Sequence, residues 1–556
     1  MVASPRLGAY SLVATTPTEA ESSSTAFQEK AASRGHSRNG SAAGKTPTAG
    51  AVLQAPPWRR LAARLTVALS ALAVVVWLVR PLATPTQEVQ INARHKMAHE
   101  FETSDVPSEW RCNPFKEPGR LQVDLKTPSK NIWRPYEDAC PPSRLMVGLN
   151  RSIEAFRKKP EALRHRGPSR SHDTTLRQLR DDGDVPFYPW FENATILLLG
   201  DSMERLHLAD FCDLIGGNAT NIDPEHPASP PTYRKPMPTI LGDDGKETEA
   251  SIWAKSERRR IEDMWEQDRK NSWFFTRPWM CDVPEYNATL VSTFMWGMED
   301  MEDVFKTEDF FHGPSTWIQR FHHITLPMLK RLAEHTGRPQ LLQPTLIEVA
   351  SGFWDLRAMT EEDFIAAGIP RPYPKDSDLA FGDIGRRRED RWTKSAAAVL
   401  QEVAKAFPGP KGVRDGPPIS WRTMHHTKRN NYTPYARVAP LDALARKTMH
   451  DLRLSSLATH PTFLHKVLDS SHSERSFLAE ALDEIRAAKE ARQGDDETDF
   501  GFDERIRVDE IGKLLEGQEH HYRDFLHPDV LPGSYIWGEI ILYELKRAFY
   551  RIGRSS

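Results

Sequence analysis

Four short apolar runs punctuate the chain: Ala194–Leu199, Thr289–Met295, Thr345–Ala350 and, less sharply, Ile419–Thr423. Each ends in small or polar residues, which predicts buried strands. Apolar positions at helical spacing fill the intervals over Glu204–Ile215, Trp317–Thr336, Lys394–Phe407, Pro440–Leu452, Ser473–Arg492 and Gly538–Tyr550. Short strands alternating with helices predict an α/β fold whose mainly parallel sheet is covered on both faces. The segments 224–285, 357–417 and 453–505 are polar, Pro-rich or charged and read as insertions on that sheet. Ligands of such sheets bind beyond the carboxyl ends of the strands, so chemistry is expected just after each apolar run.

The N-terminal part follows another pattern. Residues 1–60 are rich in Ser, Ala, Thr, Gly and Pro and bury too little apolar surface to offset chain entropy, which predicts a disordered tail. Residues 65–79 carry no charge, and with their flanks the apolar stretch 61–84 reaches the roughly 20 residues of a membrane span. Residues 1–64 hold eight Lys and Arg against three Glu, so the tail is expected in the cytosol. A polar stem follows at 85–105, then a Cys- and Trp-containing N-terminal subdomain at 106–185 and a large domain at 186–556.

Composition narrows the reading. A net charge of −3 gives no basic field for nucleic acid. The 4 Cys, all beyond the apolar stretch, are too few for a disulfide scaffold. In an oxidising lumen Cys112–Cys140 with Cys212–Cys281 is the economical pairing, and two other pairings are open. Acceptor triplets at Asn150, Asn193, Asn218, Asn287 and Asn431 also lie beyond the stretch, which is consistent with glycosylation there. No Cys or His spacing suits a metal, and no bound cofactor is expected.

The first apolar run ends in Gly200-Asp201-Ser202-Met-Glu-Arg205, with a helix starting just after Ser202. A serine at a helix N-terminus sits beside free N–H groups that can stabilise an oxyanion, and Gly200 lets the backbone turn sharply. An Asp-Ser helix cap is the structural alternative. Near the C-terminal helix stands Asp524-Phe-Leu-His527-Pro. A carboxylate three residues before an imidazole can reach Nδ1 and leave Nε2 facing a nucleophile. Together the stretches nominate Ser202, His527 and Asp524.

On these motifs the chain resembles the SGNH/GDSL hydrolase superfamily. It looks most similar to the PC-esterase branch, which includes the plant trichome-birefringence-like proteins and sialate O-acetyltransferases. The likeness rests on Gly200-Asp201-Ser202-x-x-Arg205 and Asp524-x-x-His527, with a looser match at Trp110, Cys112, Trp133 and Cys140. It implies an SGNH-type three-layer fold, an acylated Ser202, His527 as base and Asp524 orienting it. Two departures stand out. Leu206 follows the motif Arg where plant members carry Asn, and Ser351-Gly352-Phe353-Trp354-Asp355 lacks the Asn of the usual Gly-x-Asn-Asp block. The Ser202 N–H and Gly297, after the second apolar run, are therefore the candidate oxyanion donors. Gly200, Asp201 and Arg205 are candidate supports, with Arg205 equally placed to reach a substrate. Trp296 and Trp354 follow strand ends and are candidates to wall a sugar pocket, packing in the core being the alternative.

The expected function is a single-pass type II protein of the Golgi or endoplasmic reticulum membrane with a lumenal catalytic domain. It would transfer an acyl group, expected to be acetyl from a co-substrate such as acetyl-CoA, to hydroxyls of a glycan or polysaccharide acceptor. An esterase with the same triad and a non-catalytic lumenal glycan-binding protein are the alternatives.

Overall fold

In the computed structural model the described residues are 112–158, 187–271, 276–306, 308, 311–371, 382–409, 416–428, 432–457 and 505–555. All of them belong to one compact unit, Gln87–Ser556. The tail, the apolar stretch 61–84, the stem, Trp110, Asn431 and the expected helix Ser473–Arg492 lie outside them. No helix among the described residues is long and apolar enough to cross a membrane.

Among the described residues a small antiparallel pair comes first, β1 (Gly119–Gln122) and β2 (Ile132–Pro135), followed by helix α1 (Leu145–Lys158). Next come β3 (Thr195–Gly200), α2 (Ser202–Leu214), β4 (Asn218–Asn221), α3 (Glu249–Asn271), β5 (Trp279–Val283) and β6 (Ala288–Phe294). Helix α4 (Leu326–Thr336), β7 (Leu346–Val349), α5 (Phe353–Ala366), α6 (Arg386–Ala406), β8 (Ile419–Arg422), α7 (Tyr435–Leu457), β9 (Ile506–Asp509) and α8 (Tyr535–Ser555) complete it.

Seven strands form one sheet in the order β4-β5-β6-β3-β7-β8-β9. The five strands from β6 to β9 run parallel, while β5 pairs antiparallel with both β6 and β4. The fold is thus mixed α/β with a mostly parallel sheet flanked by helices. Numbered along the chain, the parallel strands follow the doubly wound order 2-1-3-4-5, whose chain reverses between β3 and β7.

Strand β3 shows why the central strands read as unbroken apolar runs. Alternate side chains point to opposite faces. Ile196 and Leu198 pack with Leu208 and Phe211 of α2 and Trp537 and Ile541 of α8. Leu197 and Leu199 pack with Leu329 of α4, Leu400 of α6 and Leu441 of α7. Both faces are covered, so both need apolar residues.

The insertions need correction. Segment 224–285 supplies β5, and segment 357–417 holds the whole of α6, which buries Trp392, Val399, Leu400 and Val403 against the sheet. Strand β9 begins directly after the segment ending at 505; its Ile-Arg-Val-Asp run is too short and polar to stand out. The stretch 112–158 has no separate core. Phe115, Met146, Leu149 and Ile153 join the cluster of α8, and Glu539 of α8 accepts hydrogen bonds from Ser143 Oγ (2.6 Å) and Leu145 N (2.8 Å) at the start of α1.

Both disulfides follow the economical pairing. Cys112–Cys140 closes the loop around β1 and β2, and Cys212–Cys281 joins α2 to β5.

Candidate active site

Strand β3 stops at Gly200, and α2 begins two residues later. Asp201 is the N-cap: its carboxylate accepts Met203 N at 2.8 Å, while Glu204 Oε2 accepts Asp201 N at 2.7 Å. This reciprocal cap was encoded as Asp201-x-x-Glu204. Because Asp201 does the capping, the Ser202 hydroxyl is left for another partner. Ser202 occupies the first helical position, where its N–H has no intrahelical acceptor. Gly200 is needed for space: a Cβ there would lie 2.0 Å from Glu204 Oε2.

The partner comes from far along the chain. Ser202 Oγ lies 2.7 Å from His527 Nε2, and His527 Nδ1 lies 2.7 Å from Asp524 Oδ2. Asp524 Oδ1 also accepts the N–H groups of Leu526 and His527, each at 2.7 Å. Burial raises the Asp524 carboxyl, but the imidazole hydrogen bond and charge and the two N–H donors outweigh it and hold it at about 2. An ionised carboxylate only accepts, so the imidazole proton sits on Nδ1. In the neutral imidazole Nε2 is then bare and accepts the Ser202 O–H. An imidazole so placed can take the hydroxyl proton as the oxygen attacks an acyl carbon.

Under the site runs a buried polar layer. Arg422, at the end of β8, donates to Glu204 Oε1, and both side chains are almost wholly excluded from water. Burial raises the Glu204 carboxyl, against the pull of Arg422. Glu348 of β7 accepts Trp537 Nε1 at 3.1 Å; burial, then the nearby Asp509 and Glu204, push its carboxyl well above the carboxylate range. Burial likewise raises Asp509 to about 7.

Gly297 lies on the loop after β6. That loop runs beside the nucleophile turn, since Gly200 pairs with Phe294 and Met295 N donates to Gly200 O at 2.5 Å. Asp355 braces it, accepting Met298 N at 2.7 Å and Ser351 Oγ at 2.6 Å. A Cβ on residue 297 would lie 2.5 Å from Asp355 Oδ1. Burial raises the Asp355 carboxyl to about 6, against those two donors.

Arg205 is buried on the first turn of α2. Burial lowers its guanidinium to about 10, partly offset by the charge of Asp201.

The two tryptophans need correction as pocket walls. Trp296 is 1 % exposed, its Nε1 donates to His312 O at 3.1 Å, and it packs edge-on to Trp354 at 4.7 Å. Phe294, Phe305 and Phe311 complete this aromatic cluster, which Trp354 also fills. These rings fill a satellite core.

Asn193 and Asn218 are exposed, whereas Asn150 and Asn287 are half-buried. Asn287 Nδ2 donates to Asn193 Oδ1 at 2.7 Å, so a glycan on Asn287 would replace that bond. Among the described residues no cluster of three or more His, Cys, Asp or Glu is arranged to hold a metal ion.

Sequence reasoning passed over Arg422, His425 and Asp210. His425 stands next to His426 without any spacing that marks a role, and the other two carry no local signature. No family model, characterised protein or solved structure matches the chain.

Proposed function

We propose that this chain is a serine-dependent O-acyltransferase of SGNH type, an O-acetyltransferase acting on glycan hydroxyls and held to the Golgi or endoplasmic reticulum membrane by the apolar stretch 61–84. The Ser202–His527–Asp524 relay, with both links at 2.7 Å, carries the reading. The strand order supports it: Ser202 stands at the carboxyl end of β3, beside the reversal where sheets of this order bind ligands.

In the proposed reaction Ser202 Oγ attacks the acyl carbonyl of the donor, acetyl-CoA being one candidate, as His527 Nε2 takes its proton. The tetrahedral oxyanion lies against the Ser202 N–H, with Gly297 N–H the candidate second donor; each such donor is worth about 3–4 kcal/mol. The donor's leaving group departs with the proton from His527. A sugar hydroxyl then attacks the acyl-serine and gives its proton to His527; the bond from Ser202 Oγ to the acyl carbon breaks, His527 returns the proton to Ser202 Oγ, and the sugar leaves as the ester. Water in place of the sugar makes the same machinery an esterase.

The test is incubation of the full-length chain with an acetyl donor and oligosaccharides, followed by peptide mass spectrometry. An acetyl adduct on Ser202, lost in Ser202→Ala, with acetylated sugar formed faster than free acetate, is expected. Acetate alone would make the protein an esterase. Sugar binding with neither product would leave a glycan-binding protein, and turnover that survives Ser202→Ala would end the serine mechanism.

A further inference from the structure

We infer that His425 is a positioning residue for His527, acting through the carbonyl of Leu526; this rests on the triad reading above. His425 lies three residues beyond β8, and its Nε2 is 2.7 Å from Leu526 O. A carbonyl only accepts, so Nε2 carries the proton and His425 is the donor. Leu526 is the residue before His527, so a displacement of its carbonyl is carried straight to the peptide that bears the imidazole.

The segment holding His425 is itself fixed. Thr423 Oγ1 donates to Asp509 O (2.7 Å) and accepts Gly512 N (3.0 Å), and Met424 N donates to Asp442 Oδ1 (3.0 Å). The His425 ring is buried, between Phe353 at 5.0 Å and Tyr522 at 5.3 Å. Lys428 adds two bonds further from the imidazole, N to Phe525 O (2.8 Å) and Nζ to Tyr522 O (3.1 Å). These hold the outer part of the loop; the bond from His425 falls on the peptide next to His527.

The other end of this segment reaches the nucleophile. Arg422, three residues before His425, holds Glu204, which caps the turn carrying Ser202. One short stretch of chain, 422–425, thus grips the nucleophile turn with one side chain and the imidazole loop with another. It sets the separation that the Ser202–His527 hydrogen bond requires.

A neutral donor suits the place. Burial, then the charges of Arg422 and His527, hold the His425 imidazole down to about 3. It therefore adds no second positive charge when His527 takes a proton. A glutamine can rebuild the donor, whereas leucine removes it and asparagine is too short to reach.

The experiment compares the full-length parent with His425→Gln, His425→Leu and His425→Asn. One readout is the labelling rate of Ser202 by a fluorophosphonate; the other is the downfield proton resonance of His527 Nδ1–H bonded to Asp524, assigned by its loss in Asp524→Asn. Leucine and asparagine are expected to weaken that resonance and slow labelling by about 100-fold, the scale of a misplacement near 1 Å. With acetyl donor they should lower kcat at nearly unchanged KM. Glutamine should stay within about fivefold of the parent. Parent-like labelling and resonance in both His425→Leu and His425→Asn overturn the inference, and so does equal loss in all three variants. If His425→Leu does not fold, His425→Asn carries the test. A parent that shows the resonance but is not labelled at Ser202 overturns the serine reading, and the resonance alone then decides His425.

Discussion

Arg523 donates to Asp210, and this ion pair joins α2 directly to the loop that bears His527 across 313 residues of sequence. Asp210 Oδ2 also accepts Ser534 Oγ at 2.6 Å, from the turn that leads into α8. Asp210→Ala should therefore loosen the seating of His527 on Ser202. A loss of about 1–3 kcal/mol in stability is expected, the range for hydrogen bonds to a charged group. Denaturant midpoints and the labelling rate of Ser202 should fall together. A midpoint that falls while labelling holds would show that this tie supports the fold but not the site.

The Glu204–Arg422 pair should behave as a buried charge couple. Arg422→Met leaves the Glu204 carboxylate without its cation, at an expected cost of about 3–5 kcal/mol. Glu204→Gln combined with Arg422→Met should recover part of it, because no lone charge remains buried. Urea unfolding of the two singles and the double measures this coupling. Additive losses would mean that the two groups do not work as a pair.

Asp524 is held at about 2, so it stays ionised through the neutral range and into mild acid. Its contribution to stability is present above the unfolded value of 3.8 and is lost as pH falls through about 2. Asp524→Asn removes the acceptor that keeps the imidazole proton on Nδ1. Acyl transfer should drop by ~10⁴-fold with the fold retained, the scale seen when a triad carboxylate is neutralised. Measuring single-turnover acylation and thermal unfolding on the same variant separates the two effects.

Asp355 and His425 predict opposite pH slopes in stability. Asp355 rises to about 6 in the fold from 3.8, so the native state holds its proton longer. Its contribution is full below 3.8 and is lost as pH rises through about 6, on the order of 3 kcal/mol. His425 falls to about 3 from 6.5; its contribution is present above 6.5 and is lost as pH falls toward about 3. Between pH 4 and 6 the two partly cancel. Relative to the parent, Asp355→Asn should make the slope of stability against pH more positive and His425→Gln should make it more negative, with the raised Asp509 adding the same downward slope to both. Denaturant midpoints across that window give the signs, and unchanged slopes in both variants would contradict the burial argument.

The disulfide from α2 to β5 closes a sequence separation of 69 residues. Replacing Cys212 and Cys281 by alanine should cost about 2–5 kcal/mol. Calorimetry of the double variant beside the parent tests it; equal transitions would leave the crosslink without a stabilising role.

What the sequence made legible was local. The run Ile196-Leu-Leu-Leu-Gly200 encodes a strand buried on both faces, and Asp524-x-x-His527 lies within one loop. The Asp-Ser pair at the start of α2 read as an alternative helix cap, but that Glu204 closes the cap reciprocally and holds Arg422 with its other oxygen did not show. Arg422 finds Glu204 only after β8 docks beside β7, so nothing within a few residues of either announces the pair. Strand β5 was hidden for a similar reason: Trp279–Val283 follows a long charged helix and becomes a strand by pairing with β6. A tryptophan after a strand looks the same in sequence whether its ring meets solvent or, like Trp296, other aromatic rings. Only the packing of Phe305 and Phe311 against the Trp296 ring settled that.

Helix α2 is fastened near its start through Glu204, midway through Asp210 and toward its end through Cys212. A rod pinned at three places makes a poor moving part. Whatever opening and shutting accompanies turnover must then be carried by the connections around it, and exchange of those connections is the route by which preference for one acceptor over another would change without disturbing the nucleophile.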